Sequence, residues 1–265
     1  MHRLLVDTQE LDNDLPVLSR AAVNHLKVLR PKDGERIELF DGAGRSREFS
    51  FKGGVLSPVG SVSLSPRPAP LTLFACVTKG SRWDWTVEKA TELGATRIVP
   101  VISERTIVRI PADEREAKRA RWMRIAEDAA RQSDAKWLPD VLAPVDFAES
   151  LALVRETACF VGALTNPPPQ PLLQALMDSR QSRSPAFAKA SAAAQALSDK
   201  SADKPFHVPH SLSIFVGPEG DFTPSELLAL CEIATPVTFG ASVLRAETAA
   251  IYGLSVLKSF LEAGS

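Results

Sequence analysis

LTLFACVTKGSRWDWTVEKATELGATRIVPVI, residues 71–102, carries the strongest fold signal in the chain. Residues 71–77 form an unbroken apolar run, as expected of a strand covered on both faces. Trp83, Val87, Ala90 and Thr91 then recur at the spacing of one helix face, and Gly94 is placed to cap that helix at its C-terminus. Residues 97–102, RIVPVI, return as a strand, with Pro100 the one residue unsuited to a strand interior. Strand, helix and strand within about thirty residues make a βαβ unit, which predicts an α/β domain built on a parallel sheet.

The pattern changes on either side. Upstream, SPRPAP (65–70) has three prolines in six residues and reads as a linker, hence a domain boundary. Before it, residues 35–64 alternate short strand-like runs (RIELF, SREFSF, VLSPVGSVSLS) with the turns DGAG and Gly53-Gly54. That grammar predicts a small β-barrel or sandwich. Downstream, residues 113–133 set Trp122, Ile125, Ala126, Ala129 and Ala130 on one helix face and Lys118, Arg121 and Arg124 on the other. Further strands are expected at 159–164, 212–216 and 236–239. Thr223-Pro224-Ser225-Glu226 reads as a capped helix start with proline at its first position, and a last helix is expected over 247–261. Residues 166–210 contain NPPPQP and an Ala-, Ser- and Lys-rich middle that buries little, so they read as an insert, with a short helix at 171–177. His207 and His210 lie there without acidic or cysteine neighbours and read as solvated loop residues.

Composition sets bounds. With 265 residues, 45% hydrophobic and 24% charged, the chain is that of a globular protein of one large domain or two ordinary ones. Cys76, Cys159 and Cys231 are scattered, giving neither a disulfide framework nor a zinc site and suiting a reducing compartment. A secretory leader and an apolar run of about 18 residues are both lacking, so a cytoplasmic protein off the membrane is expected. Lys+Arg 31 against Asp+Glu 32 excludes a uniformly basic nucleic-acid binder. The balance is uneven, however: 23 basic and 20 acidic residues precede position 141, and 8 and 12 follow it, giving +3 and −4.

No G-x-G-x-x-G follows the first strand of the α/β region, and no G-x-x-x-x-G-K-[ST], G-x-S-x-G or metal-spaced histidine pair occurs. Two glycine-containing loops remain, each after an apolar strand, where open α/β sheets bind ligands. The first is Val216-Gly217-Pro218-Glu219-Gly220-Asp221-Phe222. The second runs Phe239-Gly240-Ala241-Ser242-Val243-Leu244-Arg245-Ala246-Glu247-Thr248-Ala249. Each alone is equally readable as structural, a plain strand-to-helix turn or a helix start with a surface ion pair. Their closeness in sequence favours a shared pocket.

GPEGDFTPSE followed by FGASVLRAETA resembles the paired signature of the RsmE-type methyltransferases, of the SPOUT class with a trefoil knot. KGSRWDWTVEKATELGATRIVPVISERT (79–106) is similar to the same family's KG…KATELG…P…SERS block. RWMRIAEDAARQSDAKWLPDV resembles its next helix, and residues 25–49 its N-terminal PUA-like barrel. The resemblance implies a PUA-like RNA-binding β-barrel over 1–67. It also implies a SPOUT methyltransferase domain over 71–265, with the low-complexity insert at about 166–210. It implies transfer of a methyl group from S-adenosylmethionine to N3 of one uridine in 16S (small-subunit) rRNA or the assembled small subunit, by a homodimer, leaving S-adenosylhomocysteine. Methyl transfer from a sulfonium needs in-line positioning and no metal, but it needs the N3 proton removed.

The resemblance places the donor against Leu164, Val216, Gly217, Pro218, Glu219 and Gly220 of the first loop region and Phe239, Gly240, Val243, Leu244, Arg245 and Thr248 of the second. Arg245 is the candidate for stabilising the developing anion, and Glu247 for accepting the proton or holding Arg245. Candidate RNA contacts are His25, Arg30, Lys79, Arg82, Arg105, Arg121, Arg124 and Arg131. Residues 105–124 hold seven basic and three acidic side chains. The chain departs from the family pattern where E-Q-x-G-R is replaced by Arg131-Gln132-Ser133-Asp134-Ala135, where Asp221 stands for a usual glycine, and where Ser242 stands for a frequent arginine. Two other readings stay open at this stage: a knotted methyltransferase acting on another base or a ribose 2′-oxygen, and an inactive RNA-binding or assembly factor of the same fold.

Overall fold

The computed structural model describes residues 1–156, 158–181 and 211–263. The chain divides into two compact units, Met1–Pro68 with Ala126–Leu138, and Ala69–Ile125 with Pro139–Ser265. His207 and His210 lie outside the described residues.

The first unit is a five-stranded sheet. Its strands are β1 (His2–Leu5), β2 (Arg36–Phe40), β3 (Arg45–Lys52), β4 (Val55–Pro58) and β5 (Ser63–Leu64), with α1 (Arg20–Leu29) between β1 and β2. β1 runs parallel to β2, and the other pairings are antiparallel. Leu4, Leu11, Ile37, Leu39, Phe49 and Leu56 form its core. Residues 2–5 and 20–24 carry no motif read from the sequence, yet they belong to the ordered elements β1 and α1 of this unit. A buried polar cluster closes it. Arg3 donates Nε to Glu38 at 2.7 Å, Nη1 to the Ala130 carbonyl at 2.7 Å and Nη2 to the Ala135 carbonyl at 2.9 Å, with its guanidinium 4.1 Å from the Phe40 ring centre. Lys136 is the second cation on Glu38.

The second unit is α/β. Its seven strands are all parallel: β6 (Leu71–Cys76), β7 (Arg97–Ile102), β8 (Asp140–Val141), β9 (Val145–Asp146), β10 (Ala158–Gly162), β11 (Leu212–Val216) and β12 (Thr235–Val237). Their order is β12-β10-β11-β6-β7, with β8 and β9 both paired to the far side of β7. The helices are α2 (Ser81–Glu92), α3 (Arg115–Gln132), α4 (Phe147–Leu151), α5 (Leu172–Gln181), α6 (Pro224–Cys231) and α7 (Ala246–Glu262). α3 begins in this unit, and its last turns group with the first.

The local signals account for these elements. Trp83, Val87, Ala90 and Thr91 are the buried face of α2, and Gly94, at φ +79°, ends it by donating its N–H to the Thr91 carbonyl. Pro100 is tolerated for a specific reason. The Val101 carbonyl faces β6, where it accepts from Val77, and the Ile98 carbonyl faces the other way and accepts from Leu142. Alternation therefore turns the missing Pro100 N–H toward the gap between β8 and β9. Phe74 and Phe215 stack in the core at 4.3 Å between ring centres.

Part of the expected insert is folded. Leu172, Ala175 and Leu176 are buried on one face of α5, and residues 170–172 hydrogen-bond to Thr238 beside β12. The short helix expected at 171–177 is present and runs on to Gln181; residues 182–210 lie outside the described part of the chain.

Candidate active site

β10, β11 and β12 are neighbours in a parallel sheet, so the loops leaving their C-terminal ends emerge side by side. Together they enclose a crevice of about 290 Å³. Of the residues expected to hold a ligand, Leu164, Val216, Gly217, Pro218, Glu219, Phe239, Gly240, Val243, Leu244 and Arg245 line it. Gly220 and Thr248 do not. Reading the loops as linear motifs missed Gly162, Ala163, Thr238, Ala246 and Ala249, which reach the crevice through strand adjacency and helix pitch.

The first loop is fastened from several directions. The Asp221 N–H donates to the Pro218 carbonyl at 2.9 Å, closing a turn, and Asp221 itself sits at φ +58°. Aspartate tolerates this left-handed conformation better than most residues because its carboxylate can bond the nearby backbone. Here Oδ1 accepts from the Phe222 N–H at 2.8 Å, and Oδ2 accepts from the Leu164 N–H at 3.3 Å, linking two of the three loops. A Cβ on Gly217 would lie 3.1 Å from Asp221 Oδ1 and 3.2 Å from the Phe222 ring, so a side chain there would push both neighbours back by a few tenths of an ångström.

Residues 103–106, the turn after β7, form the other fastening. Arg105 Nη1 donates to the Gly220 carbonyl at 2.9 Å and the Phe222 carbonyl at 3.4 Å. Glu226, buried at the start of α6, accepts from the Glu104 N–H through Oε1 and from the Thr223 N–H through Oε2, each at 2.9 Å. Thr223 Oγ1 in turn accepts from the Glu226 N–H, so the capping box read from the sequence also ties two loops together.

The second loop depends on an aromatic ring. Phe239 packs with Tyr252 of α7 at 5.7 Å, and its ring edge fills space that any side chain on Gly162 would occupy: a Cβ there would be 2.5 Å from Phe239 Cε2. Gly253 leaves similar room, its Cβ position lying 2.7 Å from Ile214 Cδ1 and 3.7 Å from the same ring. The loop then turns at Gly240, φ +121°, with Thr238 Oγ1 accepting from the Gly240 N–H.

Three charged side chains line the crevice. Glu219 is paired with Arg82 at 3.2 Å. Arg245, the N-cap of α7, is exposed and makes no side-chain hydrogen bond or ion pair among the described residues. Asp221 makes the backbone contacts above. Glu247 is half-buried outside the lining, its Oε2 sealed without a hydrogen-bond partner, and no ion pair joins it to Arg245. Apolar walls (Val216, Phe239, Val243, Leu244) beside exposed loop backbone suit a flat heteroaromatic ring that takes its hydrogen bonds from main chain.

The expected RNA contacts fall in both units. In the first, His25 is half-buried and its pKa is lowered by that burial and by the charges of Arg131 and His2; Arg30 is exposed at φ +47°, and Arg131 pairs with Asp128. In the second, Lys79 and Arg124 are exposed, Arg82 and Arg121 are paired with Glu219 and Asp84, and Arg105 is committed to the Gly220 loop. Among the described residues no group of three His, Cys, Asp or Glu side chains could hold a metal, and no helix is long and apolar enough to cross a membrane.

Comparison with known proteins gives this architecture a family. The family description "RNA methyltransferase domain" matches residues 65–258. Ribosomal RNA small subunit methyltransferase E of Synechocystis is 30% identical over 98% of this chain and 78% of its own length. Two similar structures were solved with S-adenosylmethionine bound. One is a Legionella pneumophila methyltransferase, 26% identical, TM-score 0.73 over 97% of this chain and 96% of that one. The other is ribosomal RNA small subunit methyltransferase E of Neisseria gonorrhoeae, 26% identical, TM-score 0.72 over 98% and 97%. Sequence and structure agree that the chain belongs to the ribosomal RNA small subunit methyltransferase E (RsmE) family.

Proposed function

We propose that this protein transfers a methyl group from S-adenosylmethionine to N3 of a uridine in 16S rRNA. The observation that carries the reading is the crevice at the C-terminal ends of β10, β11 and β12, built from the two signature loops in a chain whose relatives bind that donor. The residues present fit the donor: apolar walls for the adenine, main-chain groups of residues 217–219, 240 and 242–244 in the lining, and Arg245 as an unpaired cation. When bound, S-adenosylmethionine supplies an already activated methyl group.

The protein's own part is placement and proton management. The fastened first loop fixes one wall, so orientation is set before the substrate arrives. Uridine N3 becomes nucleophilic as its proton leaves, and the charge that develops on the base is stabilised by Arg245 at the crevice mouth. In this reading Glu247 accepts the proton after a change of side-chain rotamer, having one carboxylate oxygen with no hydrogen bond to give up. Phosphates are met in the second unit by the unpaired Lys79 and Arg124, with Arg82 and Arg121 as further candidates, and in the first by Arg30, with Arg131 and His25 as further candidates. The first unit serves as the PUA-like RNA-binding barrel of residues 1–67, and the second as a SPOUT domain over 71–265 whose C-terminal segment forms the trefoil knot. The protein works in the cytoplasm as a homodimer on the small subunit.

The test is methylation of small subunits from a strain lacking the activity, with the modified nucleotide mapped by mass spectrometry. N3-methyluridine at one position of 16S rRNA is expected; a methyl group elsewhere, or no methylation together with no donor binding by calorimetry, overturns the reading. Arg245→Ala should lower turnover at least tenfold (roughly, for loss of one charge-stabilising contact) with little change in donor affinity.

A further inference from the structure

Asp221 is the one carboxylate lining the crevice that forms no ion pair among the described residues, Arg105 being spent on the carbonyls of Gly220 and Phe222 on either side of it. Glu219 is held by Arg82 at 3.2 Å, whereas Asp221 is held only by the N–H groups of Leu164 and Phe222. Its backbone, at φ +58°, keeps the side chain over Gly217, facing the loop after β10. The family signature that this loop resembles has glycine here, and glycine adopts φ +58° freely, so the turn itself does not call for a carboxylate.

We propose that Asp221 is a specificity residue that makes the crevice favour the cationic methyl donor over its neutral, demethylated product. The inference rests on the reading of the crevice as the donor site. S-adenosylmethionine differs from S-adenosylhomocysteine by one methyl group and one positive charge, so an unneutralised carboxylate acts on the first and not on the second. Asp221 lines the crevice itself, so a sulfonium bound there feels its charge, and a unit charge in a partly solvated site alters binding on the order of tenfold. Arg245, the other unpaired charge lining the crevice, is the same in every variant compared, so the effect of the Asp221 charge is read against a constant background. The consequence is a bias of occupancy toward donor over product without any moving part.

Calorimetry with three ligands separates this from a merely structural role: S-adenosylmethionine, sinefungin (an amine-bearing analogue, cationic at the same place) and S-adenosylhomocysteine. Asp221→Asn keeps a short side chain that tolerates the left-handed backbone and removes the charge. Affinity for the two cationic ligands should fall about tenfold, while that for S-adenosylhomocysteine stays within about twofold. Asp221→Gly, which adopts φ +58° freely, should give the same pattern and covers the case in which asparagine disturbs the loop. Equal weakening of all three ligands would make Asp221 only a tie between loops, and no change in any would leave it without a role; either overturns the proposal. Failure of the unaltered protein to bind any of the three would instead remove the donor-site reading itself.

Discussion

Gly162→Ala adds one methyl group and should dismantle the second wall of the crevice. The new Cβ would lie 2.5 Å from Phe239 Cε2 and 2.7 Å from Cζ, about 1 Å inside ordinary carbon contact. Neither partner yields easily. β10 is hydrogen-bonded on both sides, with Val161 facing Phe215 of β11 and Pro236 of β12, so its backbone is pinned. Beyond the ring stand Tyr252 and the backbone of Gly253. Phe239 must therefore swing out of its slot, taking with it a crevice wall and the start of residues 240–244. Overpacking of this kind costs about 1–3 kcal/mol, or roughly 2–4 °C of Tm per kcal/mol in a domain of this size. Donor affinity should suffer more than stability, by on the order of tenfold, because the displaced ring is itself part of the pocket. Thermal unfolding and calorimetry with S-adenosylhomocysteine measure the two effects. A double mutant with Phe239→Ala should recover the Tm lost to the clash but not the affinity, since the ring is absent. A Gly162→Ala protein with unaltered Tm and affinity would refute the slot argument.

Arg105→Ala should weaken S-adenosylhomocysteine binding severalfold while leaving the salt dependence of RNA binding unchanged, because its guanidinium is spent on the Gly220 and Phe222 carbonyls; a drop of about one in the salt slope would instead return it to the phosphate contacts. Burial raises the Glu38 pKa, but hydrogen bonds from Lys136 and Arg3 outweigh it and hold the value below that of an ordinary glutamate. The stability it lends is thus present at neutral pH and lost as pH falls through that lowered value; the Tm of Glu38→Gln should approach that of the unaltered protein in acid, and a constant gap down to about pH 3 would contradict this. Cys76 and Cys159 are pushed up to about 12 by burial, so both thiols stay neutral in the fold and only Cys231, which is exposed, should react with iodoacetamide at pH 8. Their raised values stabilise the fold fully below about pH 9, and Tm should fall as pH rises from there toward 12, less steeply in a Cys76→Ala, Cys159→Ala double variant.

Local grammar made much of this legible. The apolar run at 71–77, the face of α2 and the Thr223–Glu226 box each depend on neighbours in sequence, and each is where it was expected. What escaped depends on neighbours in space. Gly162 looks like the end of a strand until Phe239 is folded against it. The basic stretch 105–124 looks like a surface for RNA, yet Arg105, Arg109 and Arg119 donate to backbone carbonyls and Arg115 and Arg121 pair with Asp146 and Asp84. Only Lys118 and Arg124 of that group have no partner among the described residues. Net charge counts every cation equally, and folding does not.

The departures from the family pattern are milder than their chemistry suggests, because backbone conformation survives them. Asp134 and Asp221 both stand where glycine is usual, and both adopt the left-handed conformation that glycine would supply, at φ +61° and +58°. Aspartate is among the few side chains that can do so at modest cost. Near Asp134, where the resembled signature has an arginine in place of Ala135, Arg3 donates to the Ala135 carbonyl and Lys136 pairs with Glu38. At Asp221 the replacement adds something glycine could not: a bridge to Leu164 and a free negative charge in the crevice. Ser242, by contrast, sits in the exposed second loop beside Val243, which is 75% exposed, and no side-chain contact replaces the arginine often found there. The crevice therefore has one wall fixed by the fold and one held chiefly by Phe239. Substitutions in the fixed wall change what the crevice selects, while substitutions in the other change whether it forms.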